Sequence, residues 1–190
     1  GTSPSRLALL KKLEGKAQVY THEPIDDDIH RRAASVAFGS PVKPHYRLDK
    51  ATTILSLDCD FIGGEADAHR HIRDFAKGRK LKDDTMSRLY VVEPRMTQTG
   101  ANADHRLQVK AGAVHGLASA IAGRLKIEGF DDSALPGDVD TKWLDACVAD
   151  LNNGGVAIAG HGQPVEVHVL AHAINEKIDA IGKAIQLLKA

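Results

Sequence analysis

The sequence predicts an α/β fold with a doubly wound, mainly parallel sheet and helices on both faces. Three observations carry that expectation. Short β-branched or apolar runs recur at residues 52–57, 89–92 and 156–159. Helix-length segments with apolar residues at helical spacing lie between them, which is how parallel strands are joined. The run Val156-Ala157-Ile158-Ala159 is apolar at every position. That suits a strand covered on both faces, since a half-exposed strand would alternate.

Leu7, Leu9, Leu10 and Leu13 mark a first helix, which Gly15 stops. Residues 17–20 read as a short strand. Asp26, Asp27 and Asp28 place negative charge at the start of a helix over residues 29–38, closed by Gly39. Residues 40–50 contain Pro41 and Pro44 and read as a loop. The strand over 52–57 runs into Asp58-Cys59-Asp60. Residues 66–79 form a polar helix with Ile72 and Phe75 inward. The strand at 89–92 breaks at Glu93-Pro94, because proline cannot continue a ladder. A Thr/Gln/Gly/Asn-rich loop over 97–102 then leads to a short strand at 107–109. Val114, Leu117, Ala118, Ile121 and Leu125 set a helix over 113–125. Residues 129–140 read as a second loop, and 142–151 as a helix closed by Asn152-Asn153-Gly154-Gly155. Residues 165–188 read as one long final helix, with Pro164 at its start. The arrangement is Rossmann-like, and residues 1–190 read as a single α/β domain. Gly1 looks like a cleavage scar, so the chain reads as a fragment of a larger multidomain subunit.

Composition narrows the function classes. Hydrophobic residues make up 43% and charged residues 26%, an ordinary globular mixture. Lys+Arg and Asp+Glu each total 25. That balance argues against a nucleic-acid footprint, which needs a basic excess or stripe. Aromatic residues, at 4%, are too few for base-stacking platforms. No apolar run approaches the roughly 20 residues that span a bilayer, and no signal-peptide core is visible. The two cysteines, Cys59 and Cys147, lack CxxC spacing. An iron–sulfur cluster usually takes four thiolates, so none is expected in this segment. Two unpaired core thiols are the expectation, with a single disulfide left open.

Three strand ends converge on one crevice in a doubly wound sheet, where such folds bind ligands. They supply Asp58 and Asp60, then Glu93, Arg95 and Thr97, then His161 between Gly160 and Gly162. Carboxylates beside a histidine suit acid–base work or a metal. The plainer reading is polar strand ends, so no catalytic residue and no metal ligand is assigned. The Gly160-to-Pro164 turn resembles a phosphate-binding turn only loosely, because GxGxxG and GK[ST] are both absent. His168 and His172 share a helix face at zinc-pair spacing but lack HExxH, and a structural zinc normally takes four ligands. His168 is therefore expected to be a plain helix histidine, and His69 and His71 to be solvated. No GxSxG is present, and neither cysteine has a neighbouring cation to favour the thiolate.

The segment from Arg88 to Gly112 resembles the molybdopterin oxidoreductase superfamily. The matching features are Glu93-Pro94-Arg95, Thr97, Thr99, Ala103-Asp104 and the stretch from Leu107 to Gly112. Thr53 to Phe61 is similar to the strand that, in active enzymes of that superfamily, enters a Gly-x-Asn-Pro ligand loop. Gly160 to Pro164, with Val167-His168 and Ala173-Ile174-Asn175, is similar to a later strand–loop–helix unit. The likeness is strongest to the molybdopterin-like region of the large iron–sulfur subunit of alternative complex III, over about residues 7–185.

The resemblance implies a domain of a respiratory electron-transfer complex, on the periplasmic side of the bacterial inner membrane after twin-arginine export. Its partners would be other subunits of that membrane-bound complex and an adjoining iron–sulfur region that holds the clusters. The departures concern the pterin cofactor. Pro-Gly-Thr-Asp of active relatives is Ala111-Gly112-Ala113-Val114 here, so a carboxylate that reads guanine has become valine. Asp58 and Asp60 would set negative charge beside a pyrophosphate. The resemblance therefore implies a non-catalytic scaffold. Asp58, Asp60, Glu93, Arg95, Thr97 and His161 would line a relic of the cofactor crevice, with no cofactor in this segment. The alternative is a working molybdopterin guanine dinucleotide-binding domain of an oxidoreductase. A third reading is an unrelated small-nucleotide binder using Gly160 to Gln163.

Overall fold

The computed structural model describes residues 3–20, 22, 28–131 and 139–189. Helix α1 (Pro4–Leu13) is followed by α2 (Ile29–Phe38), strand β1 (Val42–Tyr46) and strand β2 (Thr53–Leu57). Then come α3 (Ala68–Gly78), β3 (Arg88–Glu93), the single turn α4 (Gln98–Ala101) and β4 (His105–Gln108). Helices α5 (Val114–Arg124) and α6 (Thr141–Leu151) lead to β5 (Gly155–Ala159), α7 (Val165–Lys177) and β6 (Ile185–Lys189).

Strands β2 to β5 form one parallel sheet in the order β4-β3-β2-β5. Leu55 lies opposite Tyr90 on one side and Ala157 on the other. From β2 the chain steps outward through β3 to β4, then returns across β2 to lay down β5. Right-handed crossovers with that reversal put α3 and the α5–α6 pair on opposite faces. This is the doubly wound α/β arrangement the sequence predicts. Every residue of β2 and β5 is buried, which explains why β5 reads as an unbroken apolar run; β2 is apolar apart from Thr53 and Ser56. The reversal between β2 and β5 is the switch point, where strand ends diverge and leave a crevice.

The outer edge of β5 has no strand partner among the described residues. Asn175, fully buried on α7, covers part of it. Its Nδ2 donates to the Ala157 carbonyl at 2.7 Å and its Oδ1 accepts from the Ala157 N–H at 2.8 Å. One side chain thus stands in for a neighbouring strand.

Several expectations are corrected. Residues 17–20 form no strand; Val19 and Tyr20 are 52% and 84% exposed. Four residues bury too little to hold a ladder without a neighbouring strand, and none pairs with them among the described residues. The loop over 40–50 contains β1, which pairs antiparallel with β6 in a separate two-stranded sheet. Pro44 is tolerated there because an edge strand needs only half its amides. The final helix ends at Lys177. Asp179 and Gly182 both take positive φ, at 58° and 85°, and turn the chain back into β6. The apolar residues beyond that turn, Ala184 and Ile185, are buried as turn and strand. Helix α3 turns His71, Asp74 and Phe75 inward and leaves Ile72 41% exposed. His69 is exposed, but His71 is not solvated. Both cysteines are buried free thiols. Asp26 and Asp27, and most of the 129–140 loop, lie outside the described residues. No helix among the described residues is long and apolar enough to cross a membrane.

Candidate functional site at the carboxyl edge of the sheet

The crevice is built from three strand-end turns. β2 ends at Leu57, and Asp58, which follows it, takes a left-handed φ of 52°. Ser56 ties the turn back, with its Oγ donating to the Cys59 carbonyl at 2.8 Å. The chain can then bring Asp60 against the loop after β3. Asp60 Oδ1 accepts from the Thr99 N–H at 3.0 Å, the Thr99 hydroxyl at 2.8 Å and the Gly63 N–H at 3.1 Å.

β3 ends at Glu93, which is 1% exposed. Its carboxylate accepts from Arg106 Nε at 2.5 Å and the Thr97 hydroxyl at 2.7 Å, and takes the Thr97 N–H at 3.3 Å. Thr97 in turn caps α4, accepting from the Gly100 N–H at 3.0 Å. Gly100 sits so close that a Cβ there would stand 1.8 Å from Glu93 Oε1. Only glycine lets the loop close over this buried carboxylate.

β5 is followed by Gly160, where a Cβ would stand 1.9 Å from the Asp58 carbonyl oxygen. That contact brings the β2 and β5 turns together. Gln163 Nε2 then donates to Asp58 Oδ2 at 2.7 Å. Burial and the nearby Glu93 push the Asp58 carboxyl up, against the pull of Gln163, Arg95 and His161. His161 gives its backbone N–H to Glu65 Oε1 at 3.0 Å, and its Nδ1 lies at the same distance from that oxygen. The other Glu65 oxygen meets His30 Nε2 of α2, also at 3.0 Å. Burial alone would raise the Glu65 carboxyl, but the hydrogen bonds from His30 and the His161 N–H outweigh it and hold it down at about 2.

The structure thus brings Asp58, Asp60, Glu93, Thr97 and His161 to one edge, in four contact groups. Asp60 meets Thr99, Glu93 meets Thr97 and Arg106, Asp58 meets Gln163, and His161 meets Glu65. Arg95 is exposed and makes no ion pair within 4 Å among the described residues. Sequence reasoning missed Glu65, His30 and Arg106, and it placed Gln163 in a nucleotide-binding turn rather than against Asp58. Glu65 follows two glycines after a strand end, a position of the right kind, but its partners are distant in sequence at His30 and His161.

Beyond the Glu65 bridge lies a cavity of about 270 Å³, lined among others by His30, Tyr46, Glu65, His71 and Ile158. Its other charges are paired: Lys43 Nζ with Asp67 at 3.3 Å, and Arg31 Nε with Asp28 at 2.8 Å. Behind the bridge, His168 packs edge-on against His30 with ring centres 4.8 Å apart, and His172 meets Phe38 at 5.1 Å. Both face α2 and are 2% and 3% exposed, so neither is a plain solvated helix histidine. Among the described residues no group of three or more His, Cys, Asp or Glu is arranged to hold a metal ion.

A pyrophosphate at a switch point needs free strand-end amides and cations. Here the His161, Thr99, Gly63 and Thr97 amides serve Glu65, Asp60 and Glu93. The residues present do not fit a pterin dinucleotide. Comparison with protein-family models gives no match, and comparison with curated proteins gives none.

Proposed function

We propose that this chain is a molybdopterin-oxidoreductase-like domain that serves as a non-catalytic scaffold in a respiratory electron-transfer complex. The observation that carries the reading is the filling of the crevice from within. Three carboxylates of the chain hold amides on the turns after β2, β3 and β5. An anionic cofactor would have to displace Glu65, Asp60 and Glu93, and these are further held by His30, Thr99 and Arg106 respectively. The loss of an acidic residue at Val114 supports the same reading through the resemblance. The partners proposed are an adjoining iron–sulfur region and neighbouring subunits, on the periplasmic side of the inner membrane. Electrons would pass through clusters outside this segment.

Elemental analysis of the native full-length protein tests the proposal. The expected result is no stoichiometric molybdenum or tungsten and no extractable pterin. Molybdenum or tungsten near one atom per chain would overturn it and favour the working cofactor domain.

A further inference from the structure

The opposite, amino edge of the sheet holds a groove of about 540 Å³, remote from the crevice. It runs between the starts of β2 and β3, the end of α3 and the turn before β5. Five cations line it: Lys50, Lys77, Lys80, Lys82 and Arg88. Arg88 is engaged with Asp150 at 2.5 Å, and Lys77 reaches Asp74 at 3.9 Å and offsets the carbonyl end of α3. Lys50, Lys80 and Lys82 make no ion pair within 4 Å among the described residues. The two acids in the lining do not neutralise them. Asp150 belongs to Arg88, and Asp49 lies 4.0 Å from Arg47. Asp83 and Asp84, at the tip of the nearby turn, are not part of the lining.

Two further observations separate this groove from an ordinary solvated surface. The chain as a whole is balanced, with 25 basic and 25 acidic residues, so a local excess of ammonium groups is not a by-product of a basic composition. The lining also includes Ser87, which is 4% exposed and whose Oγ has no hydrogen-bond partner. A buried hydroxyl without a partner is uncommon, because burial without a hydrogen bond is costly. Gly78 lies directly over it; a Cβ there would stand 3.0 Å from Ser87 Oγ.

We infer that this groove binds a compact polyanion of the diphosphate class. Three unpaired ammonium groups are too many for a single monoanion, and their charge matches a diphosphate near neutral pH. Ammonium point charges and a hydroxyl are the usual partners of phosphoryl oxygens. Binding here is independent of the crevice and of the scaffold reading.

Calorimetric titration of the chain with inorganic pyrophosphate, at low salt, tests the inference. Saturable binding with a Kd below about a millimolar is expected. Lys80→Ala and Lys82→Ala should each weaken it about tenfold, as loss of a charge-assisted bond does. Lys12→Ala on α1 should leave it unchanged. Near-ultraviolet circular dichroism checks that each variant is folded. Absence of saturation, or equal weakening by Lys12→Ala and Lys80→Ala, would overturn the inference.

Discussion

Glu93 shows how a residue at a ligand-binding edge can serve the fold instead. Its carboxylate is 1% exposed and has Arg106, Thr97 and the Thr97 amide around it. Glu93→Ala would strand Arg106 and release the α4 turn. Removing one partner of a buried ion pair costs about 3 kcal/mol, and urea denaturation should read a loss of that order. A change below about 1 kcal/mol would mean the contact is incidental. The positions of Asp58, Asp60, Glu93 and His161 were legible in the sequence, because strand ends can be located from apolar runs and breakers. Their roles were not. Whether a carboxylate faces a ligand or a neighbouring amide depends on which distant turn it meets. Asp60 meets Thr99, and Glu65 meets His161 and His30. Neither partnership leaves a trace in spacing.

At the scale of elements, α2 is held to α7 through a histidine interface. Its own buried apolar residues are only Ile29, Ala33 and Ala34. Burial lowers His168 to about 4, with His30 nearby acting in the same direction. Burial also lowers His172 to about 4, aided by His168, and lowers His71 to about 4, aided by Arg70. The unfolded chain takes up a proton at each near 6.5. Between pH 6.5 and 4 the unfolded state binds more protons, so stability falls with acidification across that window. Glu65 acts lower down, its contribution being lost as pH falls from 4.5 through about 2. His172→Phe should keep the ring contact with Phe38 and flatten the upper window by close to one proton. Denaturation midpoints from pH 7 to 4 read this directly, and an unchanged slope would contradict it.

Asn175 makes a second prediction at this scale. Asn175→Leu fills a similar volume but leaves the Ala157 N–H and C=O unpaired and buried. A loss of about 2–4 kcal/mol is expected from two such groups; a neutral result would mean water reaches that edge. The main strands and helices were legible because burial on both faces gives continuous apolar runs and helical faces repeat. β1 and β6 were not. Pro44 masked an edge strand, and the apolar residues after α7 fit helical spacing until Asp179 and Gly182 turn the chain. Residues 17–20 had strand composition without a strand to join among the described residues.

For the whole molecule, the parallel sheet creates a switch-point crevice between β2 and β5, and the chain's own carboxylates occupy its amides. The sheet topology followed from the alternation of strands and helices. The filled crevice did not, since it requires Gly160 to bring two turns together and Gln163 to reach Asp58. The scaffold proposal rests on that filling. Its most direct test is calorimetric titration of the chain with GDP as a mimic of the guanine dinucleotide. No saturable signal below about millimolar is predicted. Micromolar binding that is lost on Arg95→Ala would contradict the account and identify the crevice as a working cofactor site.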